Sequence, residues 1–283
     1  ANWNAVLEPA AVGPIFEGAA VPLRDGPILL QEWVATDGPD ADGWYSAQVW
    51  ESHDDLETFD GPIPSRIHLP EGKGGFDDGG HPYAGLTFHR TILELPNGDL
   101  LACCYCWFKG DDTPCPYQPK MNKFRCVLLR SSDRARTWRY VSTIAVDPAI
   151  GEEGFDEPAM ARLSTGPSAG RLVCLLRTGS NNCPVYQVHS DDEGTTWSKP
   201  RPMGLRGVDP ELTRKNIEGA VRILKSSGVT VVLVEMQIVQ NLGKEYTEAF
   251  KAIYPAVAKK EGIILTPFFL EGALGWPHAS LAN

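Results

Sequence analysis

The chain has 283 residues, 42% hydrophobic and 22% charged, with a formal net charge of −10. These totals suit one large or two ordinary globular domains, and the negative balance argues against a nucleic-acid or anionic-membrane surface as the main partner. The longest apolar runs, at 229–234 and 263–265, are far too short to span a bilayer.

Residues 1–27 are rich in Ala, Pro and Gly and read as an irregular lead-in. The first four, Ala1-Asn2-Trp3-Asn4, do not form a signal peptide, so a secreted or periplasmic chain would already have lost one. Residues 28–36 and 44–50 read as strands around a Gly/Asp/Pro turn, with a third strand at 63–69 and a loop holding five glycines at 70–82. Residues 90–95, then Pro96-Asn97-Gly98-Asp99, then 100–108 give a hairpin signal. A Pro/Asp-rich loop follows at 109–120, with strands at 124–130 and 138–146. Strands recur at 159–163, 171–176, 185–189 and from Trp197.

After about residue 204 the period changes. Residues 210–227 read as a helix with Asp209 as cap, Pro210 in the first turn and Gly228 at the end. Ile217, Ala220, Val221 and Leu224 would form its apolar face. Residues 229–238 and 263–270 read as buried strands. Between them, 246–260 reads as a helix with Phe250, Ile253, Tyr254 and Val257 on one face. This β/α alternation implies parallel pairing. The expected division is therefore 1–203, mainly β, and 204–283, a small α/β segment.

One device repeats through the β part. Ser190-Asp191-Asp192-Glu193-Gly194-Thr195-Thr196-Trp197 combines a turn-capping Asp, a glycine free to take positive φ and a tryptophan that can bury its ring. Ser131-Ser132-Asp133-Arg134-Ala135-Arg136-Thr137-Trp138 repeats the frame, and Ser52-His53-Asp54-Asp55-Leu56-Glu57-Thr58-Phe59 is a weaker copy. One hairpin device per blade implies a β-propeller.

The frame Ser-x-Asp-x-Gly-x-Thr-Trp resembles the Asp box of the sialidase (neuraminidase) family. The resemblance covers about residues 28–204 and implies roughly three of six expected blades, whose open edges a second copy could cover. Phe88-His89-Arg90-Thr91-Ile92 and its hairpin resemble the family's first arginine motif, although Thr91 and Ile92 depart from Arg-Ile-Pro. Phe155-Asp156-Glu157-Pro158 and Leu176-Arg177-Thr178-Gly179 resemble its later glutamate and second arginine. By that resemblance Arg90 and Arg177 would grip a sugar carboxylate, a task suited to planar, permanently charged guanidinium groups. Glu157 would be the base, and Asp111 or Asp112 the acid. His81 and His89 fall near the same edge and are expected to be structural. The family's third arginine and nucleophilic tyrosine have no match; Tyr246 and Tyr254 sit in helical pattern.

Residues 204–276 resemble the later part of SGNH (GDSL) esterases, on Gly204-Leu205-Arg206-Gly207-Val208-Asp209-Pro210, Val231 to Met236, Gly243-Lys244-Glu245-Tyr246 and Pro267 to Gly272. The nucleophile turn, the oxyanion motif and the Asp-x-x-His pair have no match. Ser226 and Ser227 end a helix, and His278 lacks the frame, so no catalytic set is assigned there. The pairing of two partial domains implies a hybrid.

The seven cysteines include Cys103-x-x-Cys106, but no second pair follows at zinc spacing, so core thiols are expected and neither metal nor cofactor. The sequence thus implies a sialidase-like glycoside hydrolase, or an inactive remnant, acting on sialic acid or a related acidic sugar. The alternatives are an SGNH-type acyl esterase and a non-catalytic glycan-binding propeller.

Overall fold

A computed structural model describes residues 18–179, 183–203, 210–226, 228, 230–236 and 244–267. The chain divides into two compact units, Ala1–Leu205 and Arg206–Asn283.

The first unit is three four-stranded antiparallel meanders, each a propeller blade. Blade one is β1 (Ala19–Pro22), β2 (Ile28–Gln31), β3 (Trp44–Ser52) and β4 (Asp60–His68). Short strands β5 (Gly72–Lys73), β6 (Gly75–Phe76) and β7 (Pro82–Tyr83) follow. Blade two is β8 (Leu86–Glu94), β9 (Leu100–Phe108), β10 (Arg125–Ser131) and β11 (Thr137–Ala145). Blade three is β12 (Asp156–Arg162), β13 (Leu172–Arg177), β14 (Tyr186–Ser190) and β15 (Arg201–Pro202).

Several expectations need correction. The lead-in supplies β1, because Ala19 and Val21 bury against the core while their neighbours stay exposed. The remaining residues 1–17 lie outside the described residues. The glycine-rich loop contributes β5 to the edge of β9. β15 begins only at Arg201, since Trp197 is spent on packing under its turn.

The three Asp boxes share one hydrogen-bond pattern. Ser131 Oγ donates to Asp133 Oδ1 at 2.8 Å, and Asp133 Oδ1 accepts the Thr137 amide at 2.8 Å. Asp192 holds Ser190 Oγ at 2.7 Å and the Thr196 amide at 2.9 Å; Asp54 holds Ser52 Oγ at 3.1 Å and the Thr58 amide at 2.8 Å. Each turn needs two consecutive positive φ values: 55° and 72° at Asp55 and Leu56, 58° and 61° at Arg134 and Ala135, 54° and 85° at Glu193 and Gly194. Only the third uses glycine, so Leu56 and Ala135 adopt a left-handed conformation that side chains disfavour.

The boxes also join blades. Trp138 Nε1 donates to Gln31 Oε1 of blade one at 2.9 Å, and Trp197 Nε1 donates to Ser142 Oγ of blade two at 3.0 Å. A hydrophobic core fills each inter-blade space. One is centred on Leu29, Phe88, Val127 and Trp138, the other on Leu101, Leu128, Phe155 and Leu176. Six of the seven thiols are buried, Cys103, Cys104, Cys106 and Cys126 on the central strands of blade two.

The second unit has helices α1 (Pro210–Ser226) and α2 (Lys244–Glu261) against a two-stranded parallel sheet, β16 (Val232–Val234) with β17 (Ile264–Thr266). Val221, Ile253, Tyr254 and Val257 form its core. Ala220 and Leu224 are exposed, contrary to the expected apolar face of α1. Glu218 is buried there instead, held by Lys260 at 2.6 Å and Arg222 at 3.0 Å. The strands also differ from expectation: Val232, Val234 and Ile264 are exposed, since among the described residues it is the other face, with Leu233 and Leu265, that packs on the helices. Asp209 and residues 268–270 lie outside the described residues.

Candidate functional site

The antiparallel course of each blade separates two ends. β10 starts at Arg125, opposite Cys106, and finishes at Ser131, opposite Leu100, where the second box begins. The boxes therefore occupy one end. The opposite end, where β8 and β12 begin and β9 and β13 finish, holds a cavity of about 450 Å³.

Two strand irregularities bring the candidate residues toward this end. In β8 the register jumps from Phe88↔Cys104 to Ile92↔Ala102, so His89, Arg90 and Thr91 face Cys103 alone. In β12 it jumps from Asp156↔Arg177 to Ala159↔Leu175. Arg90 (φ 54°) and Glu157 (φ 35°) carry the strain of these bulges. The bulges are tied together. His89 Nδ1 lies 3.2 Å from Pro158 O, the Met160 amide donates to Thr91 Oγ1 at 3.4 Å, and Cys103 Sγ donates to Pro158 O at 3.3 Å.

Glu157 and Arg177 line the cavity and pair directly, Nη1 to Oε1 at 2.6 Å. Burial works against the Arg177 charge, but Glu157 and Asp156 outweigh it and raise its pKa further. The other oxygen of Glu157 is 4.0 Å from His89 Nε2. Burial lowers the His89 pKa, against the pull of Glu157, and Nδ1 faces the Pro158 carbonyl as a donor.

Arg90 is exposed on its bulge and is not among the cavity-lining residues. Its charge still reaches His89, as does that of Arg177. Asp111 and Asp112 are also absent from the cavity wall. Asp111 takes Arg125 with both oxygens at 2.6 Å and accepts the Phe108 amide at 2.7 Å, while the Arg125 guanidinium lies 4.2 Å over the Phe108 ring. It fixes the end of β9. Asp112 is exposed and pairs with Lys73 at 2.6 Å. Asp111 is thus held in structure by Arg125 of the same blade, and Asp112 is engaged at the surface by Lys73 of β5. His81 is exposed and pairs with Asp77 at 3.4 Å.

Two further carboxylates, assigned no role from the sequence, also line the cavity, one of them beside Glu157 in its motif. Glu153 and Asp156 line the cavity, and only the acid run Glu152-Glu153-Gly154-Phe155-Asp156-Glu157 hints at them in sequence. Asp156 is 1% exposed, and neither oxygen has a hydrogen-bond donor among the described residues. Burial, then its contact with Glu153, raises its pKa well above the usual carboxylate range. Glu153 accepts the Tyr117 hydroxyl. The remaining wall is aromatic. Phe124 stacks on Trp107 at 4.6 Å and meets Tyr105 edge-on at 4.9 Å, and Trp33 and Tyr83 complete the lining. Trp33 is placed there because its carbonyl accepts the Phe88 amide at 2.7 Å. Among the described residues no cluster of His, Cys, Asp and Glu has the geometry of a metal site.

A family model described as a BNR repeat-like domain matches residues 18–235, running beyond blade three into α1 and β16. Two curated proteins are similar over part of the chain. An arylesterase of Vibrio mimicus is 36% identical over 115 residues, 41% of this chain and 52% of that protein. Esterase TesA of Pseudomonas aeruginosa is 33% identical over 130 residues, 44% of this chain and 59% of that protein. The chain thus spans a little over half the length of these curated relatives. Among solved structures, the Hadza microbial sialidase Hz136 is 14% identical with a TM-score of 0.42, covering 64% of this chain and 32% of that one.

Proposed function

The chain belongs to the BNR repeat-like domain family, and from that premise we propose that its first unit is a glycoside hydrolase acting on a terminal sugar held in the Arg177–Glu157 cavity. The observation that carries this reading is the joining of carboxylates and aromatic faces in one cavity of about 450 Å³. That volume falls in the range of small-ligand sites. Aromatic faces of Trp33, Tyr83, Tyr105 and Phe124 offer surfaces for the C–H face of a sugar ring. Carboxyl groups of unlike surroundings, Asp156 buried and Glu157 over a third exposed, offer the acid and base that glycosidic cleavage needs.

A sialic-acid-like substrate would require Arg177 and Arg90 on its carboxylate. Arg177 is on the wall, and the Arg90 bulge adjoins it. Yet Asp77, Asp78 and Glu157 line the same cavity as Arg177, the one lining arginine among the described residues, and Glu157 already pairs with it. Like charges at this range oppose an anionic ligand, so the balance favours a sugar without a carboxylate. Fluorogenic sialosides and neutral glycosides, offered to the purified chain, test this. Turnover of a neutral glycoside, lost in Glu157→Gln, supports the reading. Sialoside turnover lost in Arg177→Ala would restore the acidic sugar. No turnover of either by folded protein would overturn hydrolysis and leave glycan binding.

A second reading, acyl ester hydrolysis, is favoured by the identity to esterases over part of the chain. Covalent labelling by a fluorophosphonate serine probe would support it, and absence of labelling would remove it.

A further inference from the structure

We propose that Glu153 and Asp156 share one proton and that this pair is the proton donor of the cavity, with Glu153 as the group that touches substrate and Asp156 acting through it. The donor role rests on the glycoside hydrolase reading; the shared proton does not.

The geometry requires a proton at this place. Asp156 is 1% exposed and both of its oxygens lack a donor among the described residues. A carboxylate buried without a donor is costly, and protonation is the cheapest relief. Glu153 is the acceptor at hand. It makes a side-chain contact with Asp156 that becomes a hydrogen bond only when one of the two is protonated. Two carboxyl groups in contact cannot both ionise cheaply.

Glu153 is placed with care. Its backbone bridges two strands: its carbonyl accepts the Phe124 amide at 2.6 Å and its amide donates to Thr178 O at 3.3 Å. Tyr117 donates its hydroxyl to Oε1. Its side chain lies against Gly179, where an added Cβ would come within 2.2 Å of the Glu153 carboxyl carbon. No larger residue at 179 leaves room for that carboxylate.

Other charged or titratable groups face the pair. Arg177, paired across the strands with Asp156, favours ionisation; Glu157 opposes it. The phenols of Tyr105 and Tyr117 stay neutral, burial raising both pKa values. In the reaction the proton passes from Glu153 to the glycosidic oxygen as its bond to the sugar carbon breaks. Water forms the new C–O bond, and the proton it loses returns to the pair. Asp111 and Asp112 take no part.

Infrared difference spectroscopy of the intact chain near neutral pH reads the shared proton directly. The expected result is a protonated-carboxyl C=O band that disappears in Asp156→Asn. It also disappears in Glu153→Gln, whose amide supplies the missing donor and lets Asp156 ionise. Glu153 is half-buried, so this second variant keeps the fold if Asp156→Asn does not. No band in the wild type, or a band surviving both substitutions, overturns the shared proton even if glycosides are cleaved. The donor role is read from leaving groups. Glu153→Gln should slow aryl glycosides with poor leaving groups by about 10²–10⁴-fold and activated ones far less, while Asp156→Asn moves the alkaline limb of kcat/KM. Equal slowing of both leaving-group classes overturns the donor role. A band without any glycoside turnover overturns the hydrolase reading and the donor role together, and leaves the proton pair standing.

Discussion

Ser65, on the outer strand of blade one, donates its hydroxyl to the carbonyl of Ala135 in the box of blade two, 70 residues on, at 2.6 Å. The arrangement repeats one blade later, where Ser142 on β11 donates to the carbonyl of Gly194 in the third box. The Asp box therefore closes its own hairpin and presents one carbonyl to the preceding blade, which meets it with a serine. Ser65 is 1% exposed. A buried carbonyl that loses its donor costs about 1–3 kcal/mol, so Ser65→Ala should lower unfolding free energy by that amount in urea titration. A change below about 0.5 kcal/mol, the scatter of ordinary surface substitutions, would show that the contact is incidental.

The first box is strained where the third is not. Leu56 takes φ 72° and is 41% exposed, so its side chain gains little from packing. Leu56→Gly should stabilise by about 0.5–1 kcal/mol, the left-handed penalty exceeding the entropy that glycine loses. The reverse change, Gly194→Ala, sets a Cβ 2.1 Å from Leu128 Cδ2 in the core and should destabilise. Thermal melts of the pair moving in the same direction would contradict this account of the turn.

Asp156 makes stability depend on pH. Its folded pKa is raised above the usual 3.8, so the folded state holds the proton more tightly than the unfolded chain. The contribution is fully present below about pH 4 and is lost as pH rises through the folded pKa. Asp156→Asn should therefore gain on the wild type as pH increases, with the gap in Tm widening from pH 4 upward. A gap that stays constant or narrows would mean the carboxyl is ionised in the fold.

The Asp111–Arg125 pair separates structure from chemistry. Both side chains are mostly buried, 13% and 16% exposed, and joined by two short hydrogen bonds. Breaking such a pair by removing one partner costs about 3–5 kcal/mol. Asp111→Ala should lose that stability yet, assayed well below its melting point, retain the ligand affinity of the cavity. Loss of affinity with unchanged stability would return Asp111 to the site.

Opening the Glu157–Arg177 contact should act at the cavity and little on the fold, because both groups are over a third exposed and such pairs contribute about 0–1 kcal/mol. Arg177→Ala is expected to leave Tm within a few degrees while weakening sugar binding in calorimetry. A large drop in Tm with unchanged binding would make the pair a structural strut.

The sequence by itself determined the blades. Alternating strands, an Asn-Gly hairpin turn and three Asp boxes are local signals, carried by residues within eight positions of one another; three strands of blade two fall within a residue of the expected bounds, while β8 begins four residues early, at Leu86. Arg177 and Glu157 also stand in short motifs legible in the sequence, and both line the cavity. Tertiary structure decided what depends on which side chain reaches a charge first. Asp111 lost its catalytic look to Arg125, 14 residues away and one strand over. Asp156 and Glu153 meet in one cavity only through the tertiary structure, which leaves Asp156 1% exposed and without a donor among the described residues. In the second unit, periodicity identified the helices, but which face each presents was settled by packing, which buried Glu218 among cations and left Leu224 in water.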